Sequence, residues 1–84
     1  MKYQITTAEN KNAMRLQSIG LVVGTPAENI KKGDFLMWNF GSVYVVNEII
    51  KETEKMIIIS TSPKGSSAVY EQKLNKNRLV CKLS

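Results

Sequence analysis

The chain predicts a mostly β fold (α+β at most): a small Src-homology-3-like barrel of five to six strands, or a rolled antiparallel sheet, preceded by a short N-terminal helix. Three observations carry this expectation. Runs rich in Val, Ile, Tyr and Phe recur at intervals of about 10 residues. Turn-forming clusters separate them, among them Lys32-Gly33-Asp34, Asn39-Phe40-Gly41-Ser42 and Ser62-Pro63-Lys64-Gly65. Finally, 84 residues leave room for one hydrophobic core. The expected organisation is a single domain, with a helix and short strand in residues 1–24 and the barrel core in 25–84.

From the N-terminus, a brief extended start leads into Thr6-Thr7-Ala8-Glu9, which offers a Thr/Glu capping box. Ala13, Leu16 and Gln17, with Met14 beside them, give a partial helical stripe that Gly20 would stop. Leu21-Val22-Val23 reads as a short strand between two glycines. In Thr25-Pro26-Ala27-Glu28, Thr25 would cap and Pro26 suits a first helical position. Only one helical turn fits before Lys32-Gly33-Asp34, and it should seat Ile30 against the core.

Phe35-Leu36-Met37-Trp38 is the next strand, reversed by Asn39-Phe40-Gly41-Ser42. Val43 to Ile50 is the longest strand. Alternation puts Val43, Val45 and Ile49 on one face and Tyr44, Val46 and Ile50 on the other, as in a strand bending around a barrel. Met56 to Thr61 is the most β-prone stretch and should be central. Left unpaired instead, its flat edge would favour a dimer. Ala68 to Leu74 returns with Tyr70 and Leu74 on the inward phase, and Leu79, Cys81 and Leu83 alternate with Val80 and Lys82 in a final strand.

Charge is distributed unevenly. Residues 1–32 hold five basic groups against two acids, residues 33–63 hold two against four, and residues 64–84 hold five against one. The net +5 therefore collects at the two ends of the chain around an acidic middle. Such a balance suits solubility, and it also suits an acidic partner. Cys81 is the only cysteine, so it can neither close an internal disulfide nor join a zinc-binding cluster. No apolar run approaches the roughly 20 residues that span a bilayer, and no secretory signal is visible. A cytoplasmic location is expected, in a bacterial host cytosol if the gene is phage-borne.

Ala27-Glu28-Asn29-Ile30-Lys31-Lys32-Gly33-Asp34, then Trp38-Asn39-Phe40-Gly41, then Tyr44-Val45-Val46, with Leu79-Val80 as a closing strand, form one ordered pattern along the chain. It resembles small uncharacterised β proteins encoded by bacteriophages and prophages, which carry a Gly-Asp step and a Trp-Asn-aromatic-Gly hairpin. The similarity covers about two thirds of the chain, and the helix Asn12–Gly20 would extend it. The resemblance implies a phage origin and a compact β fold, and it implies no activity. The Gly-Asp step also occurs in intein-like proteins, but the histidines and N-terminal nucleophile of splicing are missing here.

Catalytic equipment is sparse. With no histidine, the chain lacks the commonest general base and metal ligand. Asp34, the only aspartate, sits in a turn where its usual task is to accept backbone hydrogen bonds. Glu48, Glu52 and Glu54 read as a solvated face, Cys81 as a packed small hydrophobe, and no glycine-rich phosphate loop is present. The chain is expected to be no enzyme and to need no cofactor or metal.

Binding remains. The first reading is an accessory protein that modulates or inhibits a bacterial host protein, including an anti-defence factor of the anti-CRISPR kind. Its partner-binding residues would be Trp38, Asn39, Phe40 and Tyr44, since aromatic residues on a loop make good interface anchors. Trp38 also reads as a plug for the barrel, and Phe40 as either anchor or end cover. The alternative is a basic barrel binding single- or double-stranded nucleic acid. Phe40, Tyr44 and Tyr70 would stack on bases, and Lys64, Lys73, Lys76, Arg78 and Lys82 would neutralise phosphates. Monomer and small homo-oligomer both fit.

Overall fold

A computed structural model describing residues 2–83 shows eight β-strands and one 3-10 turn, all strand pairings antiparallel. The strands are β1 (Ala13–Leu16), β2 (Gly20–Val23), β3 (Thr25–Pro26), β4 (Phe35–Met37), β5 (Val43–Glu52), β6 (Met56–Pro63), β7 (Tyr70–Asn75) and β8 (Leu79–Leu83). β1 and β2 form a separate hairpin, and the other six form a sheet in the order β3-β8-β4-β5-β6-β7. The mostly β expectation holds in that coarse form.

The N-terminal helix does not form. Its residues build the β1–β2 hairpin, with Met14 opposite Val22 and Leu16 opposite Gly20. Met14 and Leu16 face the protein while Arg15 is exposed, a period of two that short apolar runs share with a helical stripe. The would-be capping residues make turns instead: Thr7 Oγ1 donates to Glu9 Oε2 at 3.0 Å, and the Asn10 side chain accepts from the Asn12 N–H at 2.8 Å. Gly20, at φ 108°, reverses the hairpin.

Nor does the barrel close. β3 and β7 are the two free ends of the sheet and do not pair with each other. The 3-10 turn Ala27–Asn29 packs against β6 and β7, with Ala27 and Ile30 both buried, as the single turn before Gly33 was expected to do. Pro26, not Thr25, caps that turn, and no side-chain cap bond forms. β6 is central, paired on both sides, so Met56–Thr61 offers no edge.

Both faces of the sheet are covered near its middle. On the inner face Leu36, Val46, Ile57, Ile59, Leu74 and Val80 join Ala27 and Ile30 in the main core. On the outer face Met37, Cys81 and Leu83 meet Leu16 and Val22 of the hairpin. Adjacent residues of β4 and of β8 thus enter different cores, which explains why these strands are apolar on both phases. The shortest dimension, 19 Å, suits such layering.

β5 departs from simple alternation. Its register with β6 slips between Val46 and Glu48 and again between Ile49 and Lys51. These bulges bring Val46 and Ile49 onto the same core and leave Ile50 exposed, correcting the face assignment made from period two alone. Asn47, in the first bulge, donates from Nδ2 to Ser62 Oγ at 2.8 Å.

Candidate binding groove

The β4–β5 hairpin positions the site. Met37 is the last β4 residue opposite β5, facing Val43. Beyond it the Trp38 N–H donates to the Ser42 carbonyl at 2.9 Å, and the Gly41 N–H donates to the Trp38 carbonyl at 2.9 Å. Gly41, at φ 84°, takes the left-handed conformation that a tight three-residue loop needs. The loop is held from outside as well. The Asn39 carbonyl accepts from the Ser18 N–H at 3.0 Å and from Ser18 Oγ at 2.8 Å, tying it to the β1–β2 turn.

Beside this loop lies an open groove of about 390 Å³, lined by Trp38, Asn39, Phe40, Ser42, Tyr44, Gln72 and Arg78. Three separated parts of the chain meet there: the hairpin, β7 and the turn before β8. The Arg78 guanidinium carbon lies 5.8 Å from the Trp38 ring centroid, within cation–π range. Arg78 is exposed and makes no ion pair with a carboxylate among the described residues. The Tyr44 and Tyr70 rings meet edge to face at 6.4 Å and 67°. Phe40 is 75% exposed at the loop apex.

Trp38 packs on the main core and also lines the groove. It is half-buried against the main core, and its Nε1–H is buried without a hydrogen-bond partner among the described residues. Tyr70, on the inward phase of β7, lies beyond the core and is 52% exposed, whereas Leu74 is buried. Polar bonds support that end of β7. Gln72 Nε2 donates to Thr61 Oγ1, and Thr61 Oγ1 donates to the Tyr70 carbonyl, each at 3.3 Å.

The four residues expected to anchor a partner therefore converge, and Arg78 joins them from the basic set. Of the other basic residues, Lys76 shares a second recess with Arg78 and Lys55, whereas Lys64, Lys73 and Lys82 line neither recess. Lys76 pairs with Glu52 at 2.9 Å and Lys82 with Asp34 at 3.7 Å. Lys73 is exposed on the phase of β7 opposite Gln72, and Lys64 is exposed after β6. Ser18 and Gln72 were not legible beforehand, because their roles depend on contacts across the fold.

Asp34 is occupied structurally. Its Oδ2 accepts from the Lys31 N–H at 2.7 Å, closing the turn that delivers β4. Cys81 is buried in the outer core, and that burial raises its thiol pKa. No group of three or more metal-ligating side chains occurs among the described residues, and no helix is long and apolar enough to cross a membrane. No protein-family model, curated protein or solved structure matches the chain.

Proposed function

We propose that the protein is a non-enzymatic binding module of the phage accessory type, which captures a bacterial host protein in the groove beside the β4–β5 hairpin. The observation that carries this reading is the meeting of Trp38, Phe40 and Tyr44 with Arg78 in one recess. Aromatic walls offer large contact area at little entropic cost, and Phe40 already projects into solvent. Arg78, resting on Trp38, presents a planar fork to a carboxylate. The matching partner segment carries an acidic side chain next to an apolar or aromatic one. Inhibition of a host effector, including a defence nuclease, would follow from covering its surface. The absence of histidine and the structural occupation of Asp34 support a non-catalytic role.

A second reading, single-stranded nucleic acid, rests on Phe40, Tyr44 and Tyr70 as a stacking row beside Arg78. The ion pairs of Lys76 and Lys82 weaken it, since they leave fewer free cations to follow a phosphate backbone.

Both readings are tested with the wild-type protein and Phe40→Ala. Immobilised wild-type protein should retain a specific protein from bacterial lysate, and Phe40→Ala should reduce retention while melting at the same temperature. Equal retention by the variant would remove the hairpin as the anchor. In parallel, anisotropy of a labelled oligonucleotide at low salt should show no saturable binding. Tight binding that collapses with added salt would instead favour the nucleic-acid reading.

A further inference from the structure

We propose that two copies of the chain associate edge to edge through β7, antiparallel about a two-fold axis at Gln72. The two free ends of the sheet are not equivalent. β3 is two residues long and contains Pro26, which has no N–H to donate to a neighbouring strand. β7 is six residues long, holds neither proline nor glycine, and runs against β6 in unbroken register from Tyr70 to Asn75. Its other side has no strand partner among the described residues. The 3-10 segment packs against β7 and hydrogen-bonds just beyond its C-terminal end, where the Glu28 N–H donates to the Lys76 carbonyl at 3.2 Å.

Charge selects the register. Glu71 and Lys73 are exposed on the same face of β7, flanking Gln72. Self-pairing centred on Glu71 sets two glutamates directly opposite, and pairing centred on Lys73 sets two lysines opposite. Pairing centred on Gln72 sets Glu71 against Lys73 of the second copy, twice by symmetry, and like charges nowhere. Lysine on an edge strand ordinarily discourages pairing, and Glu71 at this spacing turns that safeguard into a matching pattern. The same register places Tyr70 opposite Leu74 of the second copy. It also covers the end of the edge where Val69, 65% exposed, and Tyr70, 52% exposed, leave apolar surface in water.

Sedimentation equilibrium of the wild-type protein and of two single variants, E71K and K73E, tests this. Both positions are exposed, so circular dichroism should show unchanged folds. Wild-type protein should show a concentration-dependent monomer–dimer equilibrium. Each variant alone should dimerise on the order of tenfold more weakly, because both opposite-charge pairs become like-charge pairs. Mixed in equal amounts, the variants should recover dimer, since one strand is then doubly basic and the other doubly acidic. A wild-type protein that stays monomeric at every concentration would overturn the proposal. So would variants that dimerise as well as wild type, or a mixture that recovers nothing.

Discussion

Replacing Gly24 by alanine is expected to destabilise the protein, for a reason visible only in three dimensions. Gly24 joins the β1–β2 hairpin to β3, and its N–H donates to the Asn12 carbonyl at 2.7 Å. A methyl group there would lie 2.8 Å from Leu79 Cβ, 3.0 Å from Met14 Sδ and 3.2 Å from the Asn12 carbonyl oxygen. The methionine sulphur sits on a flexible side chain and can move. Leu79 Cβ is fixed to β8, and the Asn12 oxygen belongs to the backbone, so neither yields cheaply. Gly24 is not in the left-handed region, so alanine would otherwise stabilise by about 0.4–1 kcal/mol through the unfolded chain. Overpacking of this kind costs about 1–3 kcal/mol, and the mid-range values of the two effects leave a net loss of about 1.3 kcal/mol. In a domain this small that lowers the melting midpoint by roughly 5–10 °C. Thermal unfolding followed by circular dichroism reads it directly, and adding Met14→Ala should not rescue the loss. A Gly24→Ala variant that melts at or above wild type would show that the hairpin does not seat on β8 as described.

Three further expectations concern buried and turn-forming groups. Cys81 should resist alkylation at neutral pH until the protein unfolds, and rapid labelling of folded protein would contradict its burial. Its folded-state pKa lies above the ordinary value of 9.0, so the folded chain keeps a proton that the unfolded chain releases. The associated stability is fully present below pH 9.0 and is lost as pH rises through the folded-state value; Cys81→Ala should flatten that part of the stability–pH curve, and parallel curves would refute the linkage. Asp34→Ala removes the acceptor for the Lys31 N–H and should cost about 1.5 kcal/mol in urea unfolding, with Asp34→Asn milder because its amide oxygen still accepts. An Asp34→Ala variant as stable as wild type would show that the turn does not need this bond.

How much could be read from the residues alone depended on how local the determinants were. The strands around Leu36, Val46, Ile59 and Val80 were legible because β-branched and aromatic runs are cut by glycine, proline and asparagine turns. The N-terminal segment was misread for a physical reason. Ala13, Leu16 and Gln17 satisfy a helical spacing, Met14 and Leu16 an alternating one, and contact with Met37, Cys81 and Leu83 decides between them. Whether the six-stranded sheet closes was equally hidden, since it turns on whether β3 meets β7, two segments far apart in sequence. In β5, no local signal announces the bulges at Asn47 and Ile50. Trp38, Asn39, Phe40 and Tyr44 could be grouped beforehand because they are neighbours in the chain. Arg78 entered that group only when β8 folded back beside β4.

Trp38 is the only tryptophan in the chain, and it forms a wall of the groove. Its fluorescence therefore reports occupation of that recess without a label. Titrating the wild-type protein with the captured partner should shift or quench Trp38 emission saturably. Phe40→Ala should then weaken the midpoint by about 30-fold, the equivalent of about 2 kcal/mol for losing a central aromatic anchor. A partner that binds to saturation while leaving Trp38 emission unchanged would place the interface elsewhere on the molecule.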